Sequence, residues 1–434
     1  MSSRGNHEFM GEIPAPAPRR KQVPGLEITA EDQDSSASSL AGTRVLYIVP
    51  QPFFDDRGSP IAVLQVVRAM SELGIQVDMM AFPSGRDVDV KNLRVFRAGE
   101  SLRIKSIPIG FSMKKVLLDF ASFFALRARL RKEEYSCIHA LEDGIYVGLA
   151  ARGKRKIPII YDMHSCIPEQ LLTHSVLGTR PFQWILEKFE RYALRHATVV
   201  SCSVGLKDYI KEKIPDTPVA EWTFSNPDND EVARQLDEPA AALRAELGIP
   251  PDARVILYAG NFKEYQGVDI LVDSMSTVQQ AHPDVQLVLL GSSIGDNVDE
   301  ITRRGKGAII VCPRQPHDLV PVYLHMAQVL VSPRVSGDNL PLKLFEYLAA
   351  GKPIVATDNK HHRLVLQEDR AVFCDSTAEG LAAAMSQLLD DPAKMQLLGT
   401  AARAYSDQKL GWRNFVGSVS EIYTTALQQS AKEI

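Results

Sequence analysis

Residues 44–50, RVLYIVP, form a short run of β-branched, aliphatic and aromatic residues. A turn at Gly58-Ser59-Pro60 follows, and then IAVLQVVRAMSELG, whose apolar residues recur at helical spacing. The pattern predicts a strand, a loop and a helix, and it repeats. IQVDMMAF, YSCIHAL, PIIYDMHS and ATVVSCS read as further strands, separated by helical stretches such as FQWILEKFERYALRHA. Continuous apolar strands alternating with amphipathic helices imply a parallel sheet covered on both faces. A second series follows the Pro- and Asp-rich SNPDNDEV and the helix-like AALRAEL, with strands at ARVILYAG, VQLVLLG, AIIVC, QVLVSP, KPIVAT and AVFC. The chain therefore reads as α/β with two doubly wound halves, 43–225 and 226–407, joined by a linker near 225–250. WRNFVGSVSEIYTTALQQ is an amphipathic helix with no strand after it, so residues 408–434 are expected to pack back across the first half.

Composition narrows the picture without changing it. Residues 1–42 mix Pro, Ser, Ala and charge without a hydrophobic period and are expected to be a disordered leader. With 434 residues, 45% hydrophobic and 24% charged, the chain can bury more than one core. A formal net charge of -4 gives no overall drive toward nucleic acid, so an anionic partner must be met locally. The five cysteines lack CxxC or metal-ligand spacing and read as reduced core residues. No leader of secretory type and no apolar run near the ~20 residues of a membrane span is apparent, so a cytoplasmic protein is expected. Asp87 with Asp89, and Asp228 with Asp230, have the spacing of metal-holding pairs but lie in polar loops and read as turn chemistry. The His361-His362 pair reads as exposed surface. Neither a metal nor a cofactor is expected.

Ligands of open parallel sheets bind beyond the carboxyl ends of the strands, where loops enter helix N-termini. The most informative such loop lies in SPRVSGDNLPLKLFEYLAAGKPIVAT, residues 332–357. Pro341 suits a first helical position, and the backbone N–H groups behind it would form a positive helix end. Lys343 in the first turn and Arg334 just before it add two cations. A diphosphate would fit there.

This stretch resembles the retaining glycosyltransferase family 4, whose members have the GT-B fold, two Rossmann-like domains facing a cleft. That family carries an acidic residue, seven intervening residues and a Glu, then a Gly-Lys-Pro run into a strand. Asp338, Glu346 and the run from Ala350 to Val355 match it. The resemblance implies that Asp338 contacts donor-sugar hydroxyls and Glu346 the ribose or neighbouring nucleotide atoms. Asn339 and Leu340 would complete the donor loop. YAGNFKEYQGVDILVDSM resembles the family's Gly-Arg loop and Lys-Gly turn, with Asn261 and Gln266 standing where Arg and Lys are usual. Lys263, Lys343 and Arg334 are expected to take over the missing phosphate contacts. Gly58 and Ser59 resemble the family's Gly-rich loop, His164 its histidine beside the reacting centre, and Gly291 a nucleotide contact, although Gly-Ser-Pro and a strand-end Gly are also ordinary turns.

The resemblance implies a retaining transfer from a nucleotide-diphosphate sugar to a glycan or lipid-linked acceptor, as in polysaccharide or glycolipid biosynthesis. Catalysis would fall to His164, Asp338 and Glu346. A nucleotide-sugar epimerase and a non-catalytic GT-B subunit stay open as alternatives, the second because of Asn261 and Gln266. FSMKKVLLDFASFFALRARLRK surrounds an apolar helical stretch with Lys114, Lys115, Arg127, Arg129, Arg131 and Lys132, and Arg152, Lys154, Arg155 and Lys156 follow. Such a pattern predicts contact with an anionic membrane surface at its inner face. Packing of Leu117, Leu118, Phe120 and Phe124 into the core is the alternative.

Overall fold

The computed structural model describes residues 40–432, apart from 56–57, 103, 105–111, 167–179, 204, 223–235, 294–295, 306 and 337–339. Strands β1 (Arg44–Pro52), β2 (Gln76–Phe82), β3 (Leu93–Arg97), β4 (Cys137–Leu141), β5 (Ile159–Met163), β6 (Val199–Ser203) and β7 (Val219–Trp222) form a parallel sheet ordered β3-β2-β1-β4-β5-β6-β7. A second parallel sheet holds β8 (Arg254–Ala259), β9 (Val285–Ser292), β10 (Ile309–Pro313), β11 (Val329–Ser332), β12 (Ile354–Thr357) and β13 (Ala371–Cys374), ordered β10-β9-β8-β11-β12-β13. Strand order reverses between β1 and β4 and again between β8 and β11, the points whose carboxyl ends receive ligands in open parallel sheets.

The first half supplies helices α1 (Gly58–Glu72), α2 (Met113–Lys132), α3 (Gly144–Arg152), α4 (Arg180–His196) and α5 (Lys207–Lys213). The second supplies α6 (Asp237–Glu246), α7 (Val268–Ala281), α8 (Val298–Arg304), α9 (Val320–Met326), α10 (Lys343–Ala350), α11 (Lys360–Arg363), α12 (Ala378–Leu389) and α13 (Pro392–Tyr405). The closing helix α14 (Trp412–Lys432) packs on α1 and on β5, β6 and β7, with Phe415 and Tyr423 fully buried and Trp412 Nε1 donating to Glu72 at 2.7 Å. The last helix is thus tied to the first half by hydrophobic burial and a side-chain hydrogen bond to α1.

Local sequence explains the elements. Every residue of β4, β5, β11 and β12 is buried, as the continuous apolar runs require. Ser112 caps α2 by accepting from Lys115 N at 3.2 Å, and Arg129, Arg131 and Lys132 sit in its last turn, where the helix dipole favours cations. Two strands, β3 and β7, were not predicted. They lie at the sheet's two edges, are partly exposed along most of their length, and carry Arg94, Arg97 and Glu221 where a central strand would be apolar. Packing also starts earlier than the expected leader boundary at 42, because Leu40 is already buried in the core.

Candidate active site

In the second half, the loop after β8 and the turn Glu264–Gln266 meet the loop after β11. Gly267 makes this approach possible: its φ is 69°, and a Cβ there would lie 2.0 Å from the Pro333 carbonyl oxygen. Lys343, at the start of α10, points its Nζ to Gln266 Oε1 at 2.9 Å and lies 4.0 Å from the centre of the Tyr258 ring. Arg334 is only 4% exposed. Its Nε donates to the Ser336 carbonyl at 2.7 Å, and its own carbonyl accepts from Thr357 Oγ1 at 2.5 Å and Asn359 Nδ2 at 3.2 Å. Burial first, and then repulsion from Arg334, hold the Lys343 ammonium well below the usual lysine range, with Glu346 opposing. Two basic groups are therefore held close together at a helix N-terminus, and a bound anion would favour the charged form of Lys343. Glu346 Oε1 faces His317 Nε2 at 2.6 Å.

In the first half, the buried carboxylate of Asp162 is a hub. Tyr47 donates to Oδ2 at 3.3 Å and Trp222 Nε1 to Oδ1 at 3.2 Å, while His164 Nε2 and His139 Nε2 lie 3.2 and 3.4 Å from Oδ2. His139 stacks on Tyr47 with ring centroids 4.2 Å apart and meets Tyr423 of α14 through Nδ1 at 2.6 Å. Burial alone would raise the Asp162 carboxyl, but the two histidines hold it far below the carboxylate range. For His164, burial lowers the imidazole and Asp162 more than restores it, leaving it above its ordinary value.

Next to this hub, at the carboxyl end of β4, Glu142 adopts a left-handed φ of 48° and accepts from Ser165 Oγ at 2.9 Å. Gly58 at the start of α1 faces the other half: a Cβ there would lie 3.5 Å from Leu342 Cδ1, just before α10. The N-termini of α1 and α10 thus approach each other across the cleft.

Sequence models described as "Glycosyltransferase Family 4" and "Glycosyl transferases group 1" match residues 57–222 and 253–391 respectively, one in each half. The chain belongs to the family 4 glycosyltransferases. Among its relatives, the D-inositol 3-phosphate glycosyltransferase of Corynebacterium aurimucosum is 25% identical over 402 residues, covering 86% of this chain and 92% of the relative. The phosphatidyl-myo-inositol mannosyltransferase of Mycobacterium leprae is 24% identical over 402 residues, covering 90% and 98%. Among solved structures, sucrose-phosphate synthase from Thermosynechococcus elongatus superposes with a TM-score of 0.72 at 19% identity, covering 89% of this chain and 99% of that one. Anabaena HepE in complex with UDP gives 0.67 at 15%, covering 88% and 100%. These two likenesses establish the GT-B fold.

The glycosyltransferase keeps some expected site residues together and not others. Lys343, Gln266, Arg334 and Glu346 share one end of the second sheet, with Leu340 packed against the core beside them. Asn261 is exposed and bonds within its own loop, its Oδ1 accepting from Lys263 N at 3.2 Å and its Nδ2 donating to the Tyr265 hydroxyl at 3.3 Å. The Lys263 side chain is exposed on the same turn. Gly291 has φ 118° and packs backbone to backbone on Gly260, since a Cβ would lie 2.4 Å from the Gly260 carbonyl oxygen. Ser59 lies in the first turn of α1. Asp338, Asn339, Asp228 and Asp230 lie outside the described residues.

Two expectations and one alternative need correction. Helix α10 begins at Lys343, two residues after Pro341, whose carbonyl accepts from Leu344 N at 3.0 Å in a tight preceding turn. His362 is fully buried rather than exposed, and His361 is partly buried. The Nδ1 of His362 faces the Thr357 carbonyl at 2.6 Å and Nε2 faces the Ser332 hydroxyl at 2.8 Å, so the ring braces the strand end from which Arg334 projects. Leu117, Phe120 and Phe124 are exposed, and only Leu118 of the four apolar residues weighed for core packing is buried. Asp87 is taken up by Arg97 at 2.8 Å, and among the described residues no group of three or more His, Cys, Asp or Glu could hold a metal.

Burial pushes Glu142 up to about 7, against the pull of His164 and Ser165. A carboxyl raised on folding stabilises the protein fully below its unfolded value, and that contribution is lost as pH rises through the folded one. Glu142→Gln is therefore expected to melt above the native enzyme near pH 8, with the difference shrinking as pH falls toward about 5. Scanning calorimetry at the two pH values checks it.

Proposed function

We propose that this glycosyltransferase retains anomeric configuration, moving a sugar from a nucleotide-diphosphate donor to a glycan or lipid-linked acceptor. The observation that carries the donor reading is the pair of cations, Lys343 and Arg334, held close enough to repel one another at the N-terminus of α10. A diphosphate bound there relieves that repulsion. Lys343 then substitutes for the cations that Asn261 and Gln266 do not supply, with Gln266 orienting its ammonium. Structures of HepE with UDP-glucose support a nucleotide sugar as the donor class, and the names of the inositol-specific relatives support a polyhydroxylated or lipid-borne acceptor.

In this reading the C–O bond to the leaving diphosphate breaks as the acceptor hydroxyl attacks from the same face. The departing oxygen takes the acceptor's proton, so no carboxylate nucleophile is needed. Lys343, Arg334 and the helix end stabilise the developing charge, a form of stabilisation that preorganised donors and cations provide efficiently in a water-poor cleft. His164, Asp338 and Glu346 hold the sugar and nucleotide. A mass-spectrometric screen of nucleotide sugars is expected to find one that binds and is slowly hydrolysed. Binding without any turnover would instead favour the non-catalytic subunit, the reading that Asn261 and Gln266 keep open.

Because cations and a helix end meet the diphosphate charge, hydrolysis and transfer are expected to survive excess EDTA. Loss on chelation, restored by manganese or magnesium, would replace this account with a metal-bound donor.

A further inference from the structure

Helices α2 and α4 lie on the same face of the first sheet, with α3 between them. Their inner sides enter one core through Leu126 and Leu130 of α2 and Ala193 and Leu194 of α4. Their outer sides are unlike ordinary solvated helix surfaces. On α2, Met113, Leu117, Phe120 and Phe124 are 69%, 53%, 62% and 67% exposed, at spacings of four, three and four residues that align them in one stripe. On α4, Trp184, Ile185, Phe189 and Tyr192 are 58%, 40%, 56% and 51% exposed. Every exposed aromatic side chain among the described residues lies on these two helices. Tyr146 of α3 meets Phe189 edge-on with ring centroids 6.1 Å apart, extending the α4 stripe toward α2.

The charge on this face says what covers it. Residues 113–132 and 184–196 contain nine Lys or Arg against three Asp or Glu, in a chain whose formal net charge is -4; of the nine, Arg129 turns inward to Asp78 at 3.2 Å and Lys115 pairs with Asp143. Of the three acids, Glu190 is fully buried, accepting from the Tyr209 hydroxyl at 2.5 Å and Lys213 at 3.0 Å. Asp119 is half-buried, and burial with Asp143 nearby pushes its carboxyl up to about 7. Glu187 is left as the exposed acid of the pair of helices. Cations and rings share positions: Lys188 Nζ lies 3.5 Å from the centre of the Trp184 ring. Apolar rings fringed by Lys and Arg match the boundary of an anionic bilayer, where rings sit at headgroup level and basic side chains reach lipid phosphates. Among the described residues no helix is long and apolar enough to cross a membrane, so the fit is to the surface.

We propose that α2 and α4 together form a docking face for an anionic lipid surface. Phe120, Phe124, Trp184 and Phe189 enter the headgroup boundary, and Lys188 and Arg191 meet lipid phosphates. The start of this face reaches the cleft, since Lys115 Nζ pairs at 2.6 Å with Asp143 in the loop after β4, next to Glu142. A lipid-borne acceptor would thus be presented beside His164. That consequence rests on the proposed transfer, whereas the docking itself does not.

The full chain should pellet with mixed phosphatidylcholine–phosphatidylglycerol vesicles at low salt, and much less with pure phosphatidylcholine or at high salt. Trp184→Ala with Phe189→Ala, and separately Lys188→Glu with Arg191→Glu, are each expected to reduce vesicle partitioning by roughly tenfold or more. Melting temperature should stay unchanged, because these side chains are exposed. Wild-type protein that stays in the supernatant, or variants that pellet equally well, would overturn the proposal. So would a concentration-dependent dimer that the same variants split, because the face would then belong to a second copy. Donor hydrolysis measured on the same samples keeps the two readings apart: its absence with intact vesicle binding counts against transfer alone.

Discussion

Lys343→Met and Glu346→Gln are each expected to lower donor hydrolysis and transfer by roughly tenfold or more, about 1.4 kcal/mol of lost transition-state stabilisation. The two variants should differ from destabilised proteins in a measurable way. In the native enzyme the Lys343 ammonium is disfavoured by burial and by Arg334, so Met, which fills similar volume without charge, is expected to leave the melting temperature unchanged or raise it. A cation kept at a cost to stability is the signature of a group retained for a ligand. Gln at 346 can still accept from His317, so that variant tests the carboxylate charge with the hydrogen bond retained. Initial rates with the donor found by screening, beside thermal melts, check both. Folded variants with wild-type rates would remove Lys343 and Glu346 from the donor site.

Much of this architecture was legible in the sequence because central strands of a covered parallel sheet must be apolar along their whole length. β11 and β12 announce themselves that way, and β4 and β5 do so apart from His139 and Asp162, whereas β3 and β7 do not, because an edge strand keeps one side for solvent and tolerates charge. The second half's candidate cluster was legible because it is nearly contiguous: Arg334, Lys343 and Glu346 fall within one strand–loop–helix stretch. The first half's polar hub was not. Asp162, His139, Trp222 and Tyr423 come from β5, β4, β7 and α14, and only folding brings them to one point. Two signals stood in the strings IIYDMHS and CIHAL, where a carboxylate and an imidazole interrupt fully apolar strands. A charge at such a position must find partners or be lost. Glu142 and His317 carried no comparable signal, since polar residues are ordinary in strand-end loops.

That hub sets the second large expectation. In Asp162→Asn the side chain keeps its shape and can still accept from Trp222 Nε1, but His164 and His139 lose the charge beside them. Removing one partner of a buried ionic network costs about 3–5 kcal/mol. The pH dependence of that loss follows from the two shifts. Asp162, depressed on folding, contributes stability above its unfolded value that is lost as pH falls through the folded one. His164, raised on folding, contributes stability that is complete below its unfolded value and is lost as pH rises through the folded one. The deficit of Asp162→Asn relative to the native enzyme should therefore be largest between about pH 4 and 6.5, and narrow as pH rises above the His164 value. Without Asp162, burial dominates, so His164 should titrate below the ordinary histidine value instead of above it. An NMR titration of the imidazole reads this directly and does not depend on knowing the acceptor. If the His164 titration is the same in both proteins, Asp162 does not hold His164. A lower imidazole value together with at least roughly tenfold slower donor turnover would mark Asp162 as the residue that positions His164 for the transfer proposed above.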